Sequence, residues 1–371
     1  MKAVVIGGGI IGNSVAWRLA REGIAVTVFE RGRLGREASW AAAGMIAPQA
    51  EAQEPGVFFD LCLHARTVFE NTVERLIAES GVDPEYDHAG ILYVALNAAE
   101  RAHLEDRARW QRKAGATVEE LDAAQARKLE PAISPEIGFA LHLPDNRRTD
   151  NRKLTQAYAN AAIRSGARLI EGAAVDEVVT NGRGASGVRL HDGARHDADI
   201  VINTAGSWAG EIHGLEADHV KLHPIRGQIL CFETRPGALG PAVFSTRGYV
   251  VPRRDGRLLA GSTMEEAGYD KSVTLGGMEK IVRGTSEMMP SLAAAPFREA
   301  WAGLRPATKD LLPVLGASPS LSNVFYATGH FRSGILLSAL TGEIIADLIK
   351  GRQPSIDLAP FSPARFAGDP R

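Results

Sequence analysis

Residues 3–30 read AVVIGGGIIGNSVAWRLAREGIAVTVFE, and this stretch decides the fold. The short apolar run Ala3–Ile6 predicts a strand that is buried on both faces. The amphipathic stretch Ile10–Arg21 predicts a helix, and the apolar run Ala25–Phe29 predicts a second strand. The stretch therefore predicts a strand, a turn, a helix and a strand in succession.

Three glycines in the first turn have a spacing that is typical of dinucleotide binding. They are Gly7, Gly9 and Gly12, in the pattern G-x-G-x-x-G. One permits the tight turn, one lets a pyrophosphate approach the helix N-terminus, and one lets the helix pack close to the strand. Glu30 follows at the end of the second strand, where a carboxylate accepts both ribose hydroxyls. A glycine-rich turn in another α/β fold would not require this acid. The stretch thus predicts a dinucleotide site but does not separate FAD from NAD.

Length and charge limit the class of protein. The chain has 371 residues, which suits two domains or one large domain with an insertion, and its 45% hydrophobic content supplies a large core. Its 42 basic and 44 acidic residues nearly cancel and form no long basic run. Binding of nucleic acid or of a membrane surface therefore has no electrostatic support. No run approaches about 18 apolar residues, so no membrane-spanning helix is expected.

Cysteines and histidines bear on the compartment and on metal binding. Cys62 and Cys231 are isolated in the sequence, which favours free thiols, and the first apolar run is too short for a signal peptide. We therefore expect a cytoplasmic protein. Cys62 falls in the apolar stripe of a predicted helix, which favours a structural role over a redox role. The ten histidines show no HxH, HExxH or CxxC pairing, so no metal site is expected.

The remaining chain alternates helical and extended patterns. Helices are predicted at residues 57–79, 98–113, 122–129, 150–165, 275–289 and 333–350. Strands are predicted at residues 90–96, 139–143, 168–170, 175–180, 187–191, 199–203 and 323–327. The region after Val220 has a β character, with a hairpin tip at Asp255-Gly256. The Pro-rich tail after Gly351 is predicted to be loose.

Two small-residue segments are candidates for a ligand site. The run Ser39-Trp40-Ala41-Ala42-Ala43-Gly44-Met45 would let backbone amides approach a flat ligand, and the Ser39 hydroxyl can donate to a phosphate. The alternative interpretation of this run is a small-residue helix start or a close packing contact. The strand at 199–203 leads into Thr204, Ala205 and Gly206, which it would bring near the glycine turn.

Six segments together carry a resemblance that covers nearly the whole chain. They read VVIGGGIIG, SWAAAGMIAP, PIRGQIL, YVVPRRDGRLLAGSTMEE, WAGLRPATKD and TGHFRSGILL, between residue 4 and about residue 350. With these segments the chain resembles the D-amino-acid oxidase superfamily, and most closely the glycine oxidases of thiamine biosynthesis. The resemblance implies an α/β fold with a Rossmann-type FAD-binding domain and a second, substrate domain with a mainly antiparallel sheet.

The resemblance also assigns the segments to domains and the cofactor to residues. It implies an FAD-binding domain of residues 1–56, 145–220 and 301–371, and a substrate domain of residues 57–144 and 221–300. It implies FAD rather than NAD. With the glycine turn (Gly7, Gly9, Gly12), the residues it implies for the cofactor are Ile10, Ile11, Glu30, Arg31, Ala38, Ser39, Ala43, Gly44, Met45, Val175, His330, Phe331, Arg332, Ser333, Gly334, Ile335 and Leu336.

Four residues are candidates for the substrate site. The family match places Arg305 at the substrate carboxylate, because a planar guanidinium binds a carboxylate through two parallel N–H bonds. Tyr249 can donate its phenol hydroxyl to the same carboxylate, and Arg332 would lie by the flavin. Met264 is a candidate apolar wall. The alternatives are a surface ion pair for Arg305, an ordinary sheet aromatic for Tyr249, a structural role for Arg332 and core filling for Met264.

The reaction that the resemblance implies is oxidative deamination of a small amino acid. Hydride passes from the substrate Cα to flavin N5, the imine hydrolyses to an α-keto acid and ammonia, and O₂ accepts the electrons as hydrogen peroxide. Glycine would give glyoxylate. The alternatives are an oxidase or dehydrogenase of broader D-amino-acid range, a tRNA-modifying flavoprotein, and a flavin-binding protein without turnover. A covalent flavin would need a cysteine near the C-terminal flavin face, so non-covalent FAD is expected.

Two further points depend on the resemblance. Relatives suggest a homo-oligomer, a dimer or a tetramer. Arg247, just before the Gly248-Tyr249 pair, departs from close relatives, which often carry a different polar residue there. An additional cation at Arg247 would change the substrate range if it reached the site.

Overall fold

The computed structural model describes residues 1–367. Its helices are α1 (Ile10–Arg21), α2 (Ala38–Ala41), α3 (Pro48–Glu51), α4 (Val57–Ser80), α5 (Ala98–Lys113), α6 (Ala123–Leu129), α7 (Asn151–Arg164), α8 (Leu275–Met288) and α9 (Gly334–Ile349). Its strands from the N-terminus to residue 203 are β1 (Lys2–Ile6), β2 (Ala25–Phe29), β3 (Met45–Ile46), β4 (Ile91–Ala95), β5 (Glu119–Asp122), β6 (Phe139–Leu143), β7 (Arg147–Arg148), β8 (Arg168–Ile170), β9 (Val175–Thr180), β10 (Ala185–Leu190), β11 (Arg195–Asp197) and β12 (Ile200–Asn203). The later strands are β13 (His223–Glu233), β14 (Ala242–Ser245), β15 (Gly248–Pro252), β16 (Arg257–Gly261), β17 (Phe297–Ala307), β18 (Val314–Ala317) and β19 (Val324–Thr328).

The first sheet is the parallel sheet that residues 3–30 predict. Its strand order is β18-β19-β12-β1-β2-β8, and every neighbouring pair is parallel except β18 with β19. In β1 the residues Ala3–Ile6 are buried, as expected for a strand that is covered on both faces. Helices α1, α4, α7 and α9 cover one face and share an apolar core that includes Trp17, Phe69, Tyr158 and Leu340.

The second sheet is the mainly antiparallel sheet that the resemblance implies. Its strand order is β17-β13-β16-β15-β14-β4-β6-β5, and only the pair β14 and β4 is parallel. Helices α5 and α6 pack on β4, β5 and β6, whereas α8 packs on β13, β15 and β16. A three-stranded sheet, β11-β10-β9, and a two-stranded pair, β3 and β7, complete the architecture of the described residues.

The predicted domain boundaries differ from the packing in two places. Helix α4 was assigned to the substrate domain, but its apolar stripe packs against α7 and α9 and belongs to the core of the parallel sheet. Residues 301–307 were assigned to the FAD-binding domain, but they belong to β17, which pairs with β13 in the antiparallel sheet. Both differences arise because long-range packing decides the partner of a segment. The last four residues of the predicted 301–371 segment lie outside the described residues.

The tail after Gly351 is packed rather than loose, at least as far as residue 367. Phe361 and Phe366 are buried, the former in the core of the helical layer. The Arg365 guanidinium donates to the carboxylate of Asp310 at 2.8 Å. Aromatic burial therefore anchors the tail although its proline content suggested mobility.

Candidate cofactor and substrate site

A cleft of about 400 Å³ lies where the two sheets meet. One wall consists of the turns at the carboxyl ends of β1, β2 and β12, and the other wall of residues on β13, β15 and β17. In open parallel sheets, ligands bind beyond the carboxyl ends of the strands. The cleft therefore lies where the fold places a nucleotide, and it extends to the antiparallel sheet.

The glycine turn forms the first wall of the cleft. Gly7 has φ +103°, a conformation that favours glycine. A β-carbon on Gly12 would collide with the carbonyl oxygen of Gly7, so Gly12 permits the close approach of α1 to β1. Gly9 lines the cleft, and a β-carbon there would meet only the Ser39 hydroxyl, at 3.3 Å. Thr204 donates its hydroxyl hydrogen bond to the Gly7 carbonyl at 2.9 Å, which confirms that the loop after β12 lies beside this turn.

The carboxylate of Glu30 is held in place but keeps capacity for a ligand. Its two oxygens accept hydrogen bonds from the backbone N–H groups of Gly8, at 2.8 Å, and Gly32, at 2.9 Å. A carboxylate has about four acceptor positions, so about two are left for the hydroxyls of a ribose. The neighbouring Arg31 guanidinium lies 3.4 Å from the centroid of the Trp208 ring. Both side chains line the cleft, and Trp208 was not predicted from the sequence.

The small-residue run after residue 38 is tied to both domains. The Ser39 hydroxyl accepts a hydrogen bond from the Ile10 backbone N–H at 2.9 Å. The buried Arg253 of the β15–β16 hairpin donates to the Ala43 carbonyl at 3.0 Å. A β-carbon on Gly44 would collide with the Thr149 carbonyl. The run is both a close packing contact and a cleft wall, so the two interpretations of this segment are compatible.

Most of the residues predicted for the cofactor line this one cleft. They are Gly7, Gly9, Ile10, Ile11, Glu30, Arg31, Ala38, Ser39, Ala43, Gly44, Met45, Val175, His330, Phe331, Arg332, Gly334 and Ile335. Gly12, Ser333 and Leu336 do not line it. Gly12 lies at the α1–β1 contact, Ser333 is the N-cap of α9, and Leu336 points into the apolar core beneath α9. Their direct contact with the cofactor stays a prediction.

The N-terminus of α9 faces the cleft. Gly334 and Ile335 line it, and the Ser333 side chain does not cap the helix. The first N–H groups of a helix have no partner within the helix and carry a positive partial charge. Phe331, just before the helix, has φ +47°, and its N–H donates to the Pro306 carbonyl at 2.9 Å. This end of the cleft is therefore suited to negative charge.

His330 predicts a pH dependence of stability. Burial lowers the pKa of His330 to about 3, whereas an unfolded histidine has a pKa of about 6.5. As the pH falls below about 6.5, His330 therefore takes up a proton in the unfolded chain but stays neutral in the folded chain. Its contribution to the free energy of unfolding is fully present above pH 6.5 and is lost as the pH falls towards 3.

At pH 5 the loss from His330 is expected to be about 2 kcal/mol. Urea unfolding at pH 7 and pH 5 measures it, and a His330→Gln variant should lose correspondingly less stability between the two values. His103→Gln, at an exposed position of α5, is the control. An unchanged pH dependence in His330→Gln would contradict the assignment.

Arg305 presents a cation to the second half of the cleft. It lies on β17, and its guanidinium donates to the Thr263 carbonyl at 3.1 Å and to the Ser262 hydroxyl at 2.8 Å. Among the described residues no carboxylate lies within ion-pair distance of it, so the expected alternative of a surface ion pair does not apply. Burial lowers the pKa of Arg305, but an arginine stays protonated in proteins. A half-buried cation with free N–H groups suits an anionic ligand.

Two glycines shape the surroundings of the substrate side. The Arg305 guanidinium lies against Gly227 of β13, where a β-carbon would overlap it. The Tyr249 ring lies over Gly261, which is opposite it in the β15–β16 register. Tyr249 also stacks on Phe244, with ring centroids 5.3 Å apart. Arg305 and Tyr249 line the same cleft, as predicted.

Arg332 lines the cleft in an ion pair that the sequence did not reveal. Its Nε lies 3.1 Å from Oε2 of Glu51, at the end of α3, and this carboxylate raises the pKa of Arg332. Glu51 also lines the cleft. No motif surrounds Glu51 in the sequence, and the two residues come together only through the fold.

Two candidate residues do not reach the cleft. Met264 is 54% exposed and does not line the cleft, so both expectations for it, a ligand wall and core filling, are wrong. The neighbouring Thr263 is buried instead, and its hydroxyl accepts a hydrogen bond from the Gln228 backbone N–H at 2.9 Å. Arg247 pairs with Glu100 and Glu287 and does not line the cleft.

Residues 1–367 contain neither a cluster of metal-ligating side chains nor a membrane-spanning helix. That part of the chain has no group of three or more His, Cys, Asp or Glu side chains that could hold a metal ion. Its helices include none with the length and apolar character that a bilayer span requires.

The mainly parallel sheet, its glycine turn and the cleft against the antiparallel sheet define a nucleotide-binding α/β class of protein. A comparison with family profiles is more specific. The profile described as "FAD dependent oxidoreductase" matches residues 2–348. The chain belongs to this family, and its cofactor is FAD.

Relatives with known names cover almost the full chain. Glycine oxidase of Bacillus licheniformis is 34% identical over 94% of this chain and 92% of its own. The crystal structure of glycine oxidase from Geobacillus kaustophilus superposes with a TM-score of 0.92 at 31% identity, covering 98% of both chains. The bifunctional protein ThiO/ThiG of Synechocystis is 33% identical over 98% of this chain but only 54% of its own length.

Proposed function

We propose that this protein is a glycine oxidase. In this proposal it deaminates glycine and other small amino acids such as sarcosine and D-alanine, with O₂ as the acceptor. The products are glyoxylate or another α-keto acid, ammonia and hydrogen peroxide. The observation that carries the proposal is Arg305, which is half-buried beside Tyr249 in the cofactor cleft and has no carboxylate partner among the described residues. The similarity to named glycine oxidases supports it.

The residues of the nucleotide half of the cleft fit FAD. Gly9 leaves room for the pyrophosphate at the N-terminus of α1, and Glu30 has acceptor capacity for a ribose. When bound, FAD supplies the two-electron chemistry that takes hydride from the substrate Cα and passes electrons to O₂. Cys62 and Cys231 are buried and do not line the cleft, so we propose that FAD is bound non-covalently. Acid precipitation should release all the flavin into the supernatant.

The chain itself binds and orients the substrate. Arg305 would hold the substrate carboxylate through two N–H groups, and the Tyr249 hydroxyl would donate to the same group. The Glu51 carboxylate offsets the charge of Arg332, so the cleft keeps Arg305 as its strong anion site. This reaction needs no general acid or base in the hydride step. Selection for glycine would be steric, since a small pocket rejects larger side chains by clash.

Other features belong to the same proposal. They are a role in thiazole synthesis for thiamine, a cytoplasmic location and assembly as a homo-oligomer. An oxidase or dehydrogenase of broader D-amino-acid range is the alternative within the family, and the named relatives do not favour it. A tRNA-modifying flavoprotein would require a basic groove, which the near-balanced charge of the chain does not favour.

Anaerobic reduction tests the proposed substrate. The FAD-loaded protein is mixed without oxygen with glycine, sarcosine, D-alanine and D-proline in turn, and the flavin absorbance is followed. Fast bleaching by glycine is expected. Bleaching by larger D-amino acids alone would move the assignment to D-amino-acid oxidation, and no bleaching by any of the four would refute amino-acid oxidation by this site.

Gly227→Ala is expected to raise KM for glycine with a smaller effect on kcat. The new β-carbon would overlap the Arg305 guanidinium, which is the movable end of a flexible side chain and would shift from the carboxylate position. Loss of well-placed charged hydrogen bonds costs about 1.5–3 kcal/mol, so KM should rise at least about tenfold. Gly138→Ala is the matched control, since a β-carbon there meets nothing within 4 Å. Steady-state kinetics with an unchanged KM for Gly227→Ala would contradict this placement of Arg305.

A further inference from the structure

Arg107 of α5 is a buried cation outside the cleft. Its exposed fraction is 1%, and burial lowers its pKa. Among the described residues no carboxylate lies within ion-pair distance of it. Burying a charge without a counter-ion costs free energy unless hydrogen bonds satisfy the group. The hydrogen-bond partners of Arg107 should therefore show what its charge stabilises.

The contacts of Arg107 converge on the short helix that ends at Glu51. One terminal nitrogen, Nη2, donates to the carbonyls of Gln49 at 2.6 Å, Ala50 at 3.1 Å and Ala52 at 2.5 Å. The other, Nη1, donates to the Gln53 side chain at 3.0 Å. The last carbonyls of a helix have no partner within the helix and carry negative partial charge. The guanidinium therefore supplies the partners that the C-terminus of α3 lacks.

A second set of buried hydrogen bonds holds the same turn. The Gln111 side chain, one helical turn after Arg107, donates to the Gln49 carbonyl at 2.8 Å. The Asn146 side chain donates to the Gln49 side chain at 3.1 Å. Arg107 and Gln111 both lie on α5, which packs on the antiparallel sheet. Helix α5 therefore fixes the position of α3 beside the cleft.

We propose that Arg107 is a positioning residue of the substrate site, acting through Glu51. By fixing the end of α3, it keeps the Glu51 carboxylate 3.1 Å from Arg332. Because Arg332 is paired in this way, it is not free to bind a second carboxylate on a substrate whose first carboxylate is held by Arg305. The site then selects substrates with one carboxylate over those with two. The inference deepens the proposed function, because it concerns the substrate class of the same cleft.

Ligand titration tests the selectivity without turnover. Binding of acetate and of malonate to the FAD-loaded protein is followed by the change in flavin absorbance. Glu51→Gln and Arg107→Met should each raise the ratio of malonate to acetate affinity at least about fivefold, since either frees a guanidinium for the second carboxylate. In the double variant the ratio should be no higher than in Glu51→Gln alone. Additive effects, or an unchanged ratio in Arg107→Met, would overturn the proposal.

Hydrogen exchange tests the positioning itself. Amide exchange of residues 47–53 should rise in Arg107→Met, while exchange in the parallel sheet stays as in the wild type. Arg109→Met, on the same helix with a side chain 69% exposed and paired with Asp106, is the matched control and should change neither readout. If Arg107→Met does not fold, Arg107→Lys carries the test. Lysine keeps the charge but lacks the several N–H donors of a guanidinium. Arg107→Lys should therefore raise the malonate-to-acetate ratio and the exchange of residues 47–53 by less than Arg107→Met. Wild-type values of both in Arg107→Lys would overturn the proposal.

Failure of this proposal and failure of the proposed function are distinguishable. If glycine does not reduce the flavin but the selectivity and exchange results are as expected, the substrate is wrong and Arg107 still positions Glu51. If glycine reduces the flavin but the effects of Glu51→Gln and Arg107→Met on the malonate-to-acetate ratio are additive, only the proposed role of Arg107 is wrong.

Discussion

Arg305→Met is expected to lower kcat/KM for glycine by about 30- to 4,000-fold. The range corresponds to the cost of about 2–5 kcal/mol for removing one partner of a buried, hydrogen-bonded charge pair. In the proposed complex the substitution removes the Arg305 guanidinium and leaves the substrate carboxylate without its charged partner. Its other donor, Tyr249, is neutral and cannot replace the guanidinium. Steady-state kinetics under air and anaerobic reduction by glycine both measure the loss.

The position of Arg305 explains why the effect should be large. Among the described residues, its N–H groups donate only to the Thr263 carbonyl and the Ser262 hydroxyl, both neutral. Methionine has a similar length and fills the space, so the loss should come from charge and hydrogen bonds rather than from a cavity. The flavin absorbance of the variant should therefore match that of the wild type.

Arg298→Met is the matched control for this prediction. Arg298 lies on the same strand, β17, but its side chain is 50% exposed and pairs with Glu233 at 3.1 Å. Exposed ion pairs contribute at most about 1 kcal/mol to stability, and this one is outside the cleft. Its variant should retain wild-type kinetics. A kcat/KM for Arg305→Met within threefold of Arg298→Met would exclude Arg305 as the carboxylate site.

Gly12→Ala is expected to weaken FAD binding at least about tenfold and to destabilise the fold. A β-carbon on Gly12 would collide with the backbone carbonyl of Gly7, which cannot rotate away as a side chain can. Helix α1 would have to move from β1, and the N–H groups at its N-terminus, which would hold the pyrophosphate, would move with it. Overpacking of this kind costs about 1–3 kcal/mol. Flavin fluorescence titration of the apoprotein and thermal unfolding measure the two effects.

Gly276→Ala is the control for Gly12→Ala. Gly276 is also a helical glycine, on α8, but a β-carbon there meets nothing within 4 Å. Alanine is favoured over glycine in a helix by about 1 kcal/mol, so this variant should be as stable as the wild type or more stable, with unchanged FAD affinity. If both variants bind FAD like the wild type, the close contact of α1 with β1 does not set the cofactor site.

Local patterns were sufficient where the structure of a segment depends on its own residues. The predicted bounds of α1, α5, β2 and β6 agree with the structure, since periodicity and flanking residues set them. Asp150 caps α7 at the start of the predicted helix, and its side chain accepts from the N–H groups of Arg152 and Lys153. The glycine turn and Glu30 were predicted from spacing alone, because one βαβ unit of contiguous chain builds that part of the cleft.

Predictions that depend on which face a segment buries were less successful. The amphipathic pattern of α4 predicted a helix but not that it packs on the parallel sheet. Met264 was a candidate wall of the site, and the fold leaves its side chain exposed to solvent instead. In both cases local sequence did not determine which surface the residues contact in the folded protein.

Local elements, the dinucleotide turn and the resemblance that pointed to FAD and Arg305 could all be read from the amino-acid sequence. Tertiary structure alone decided the surroundings of the charged groups: Gly227 beneath the Arg305 guanidinium, Glu51 beside Arg332, and Arg107 behind the helix that carries Glu51. The physical reason is that secondary structure depends on neighbours a few residues apart, whereas the environment of a buried charge depends on strand register and helix packing. Those bring together residues that are far apart in the chain.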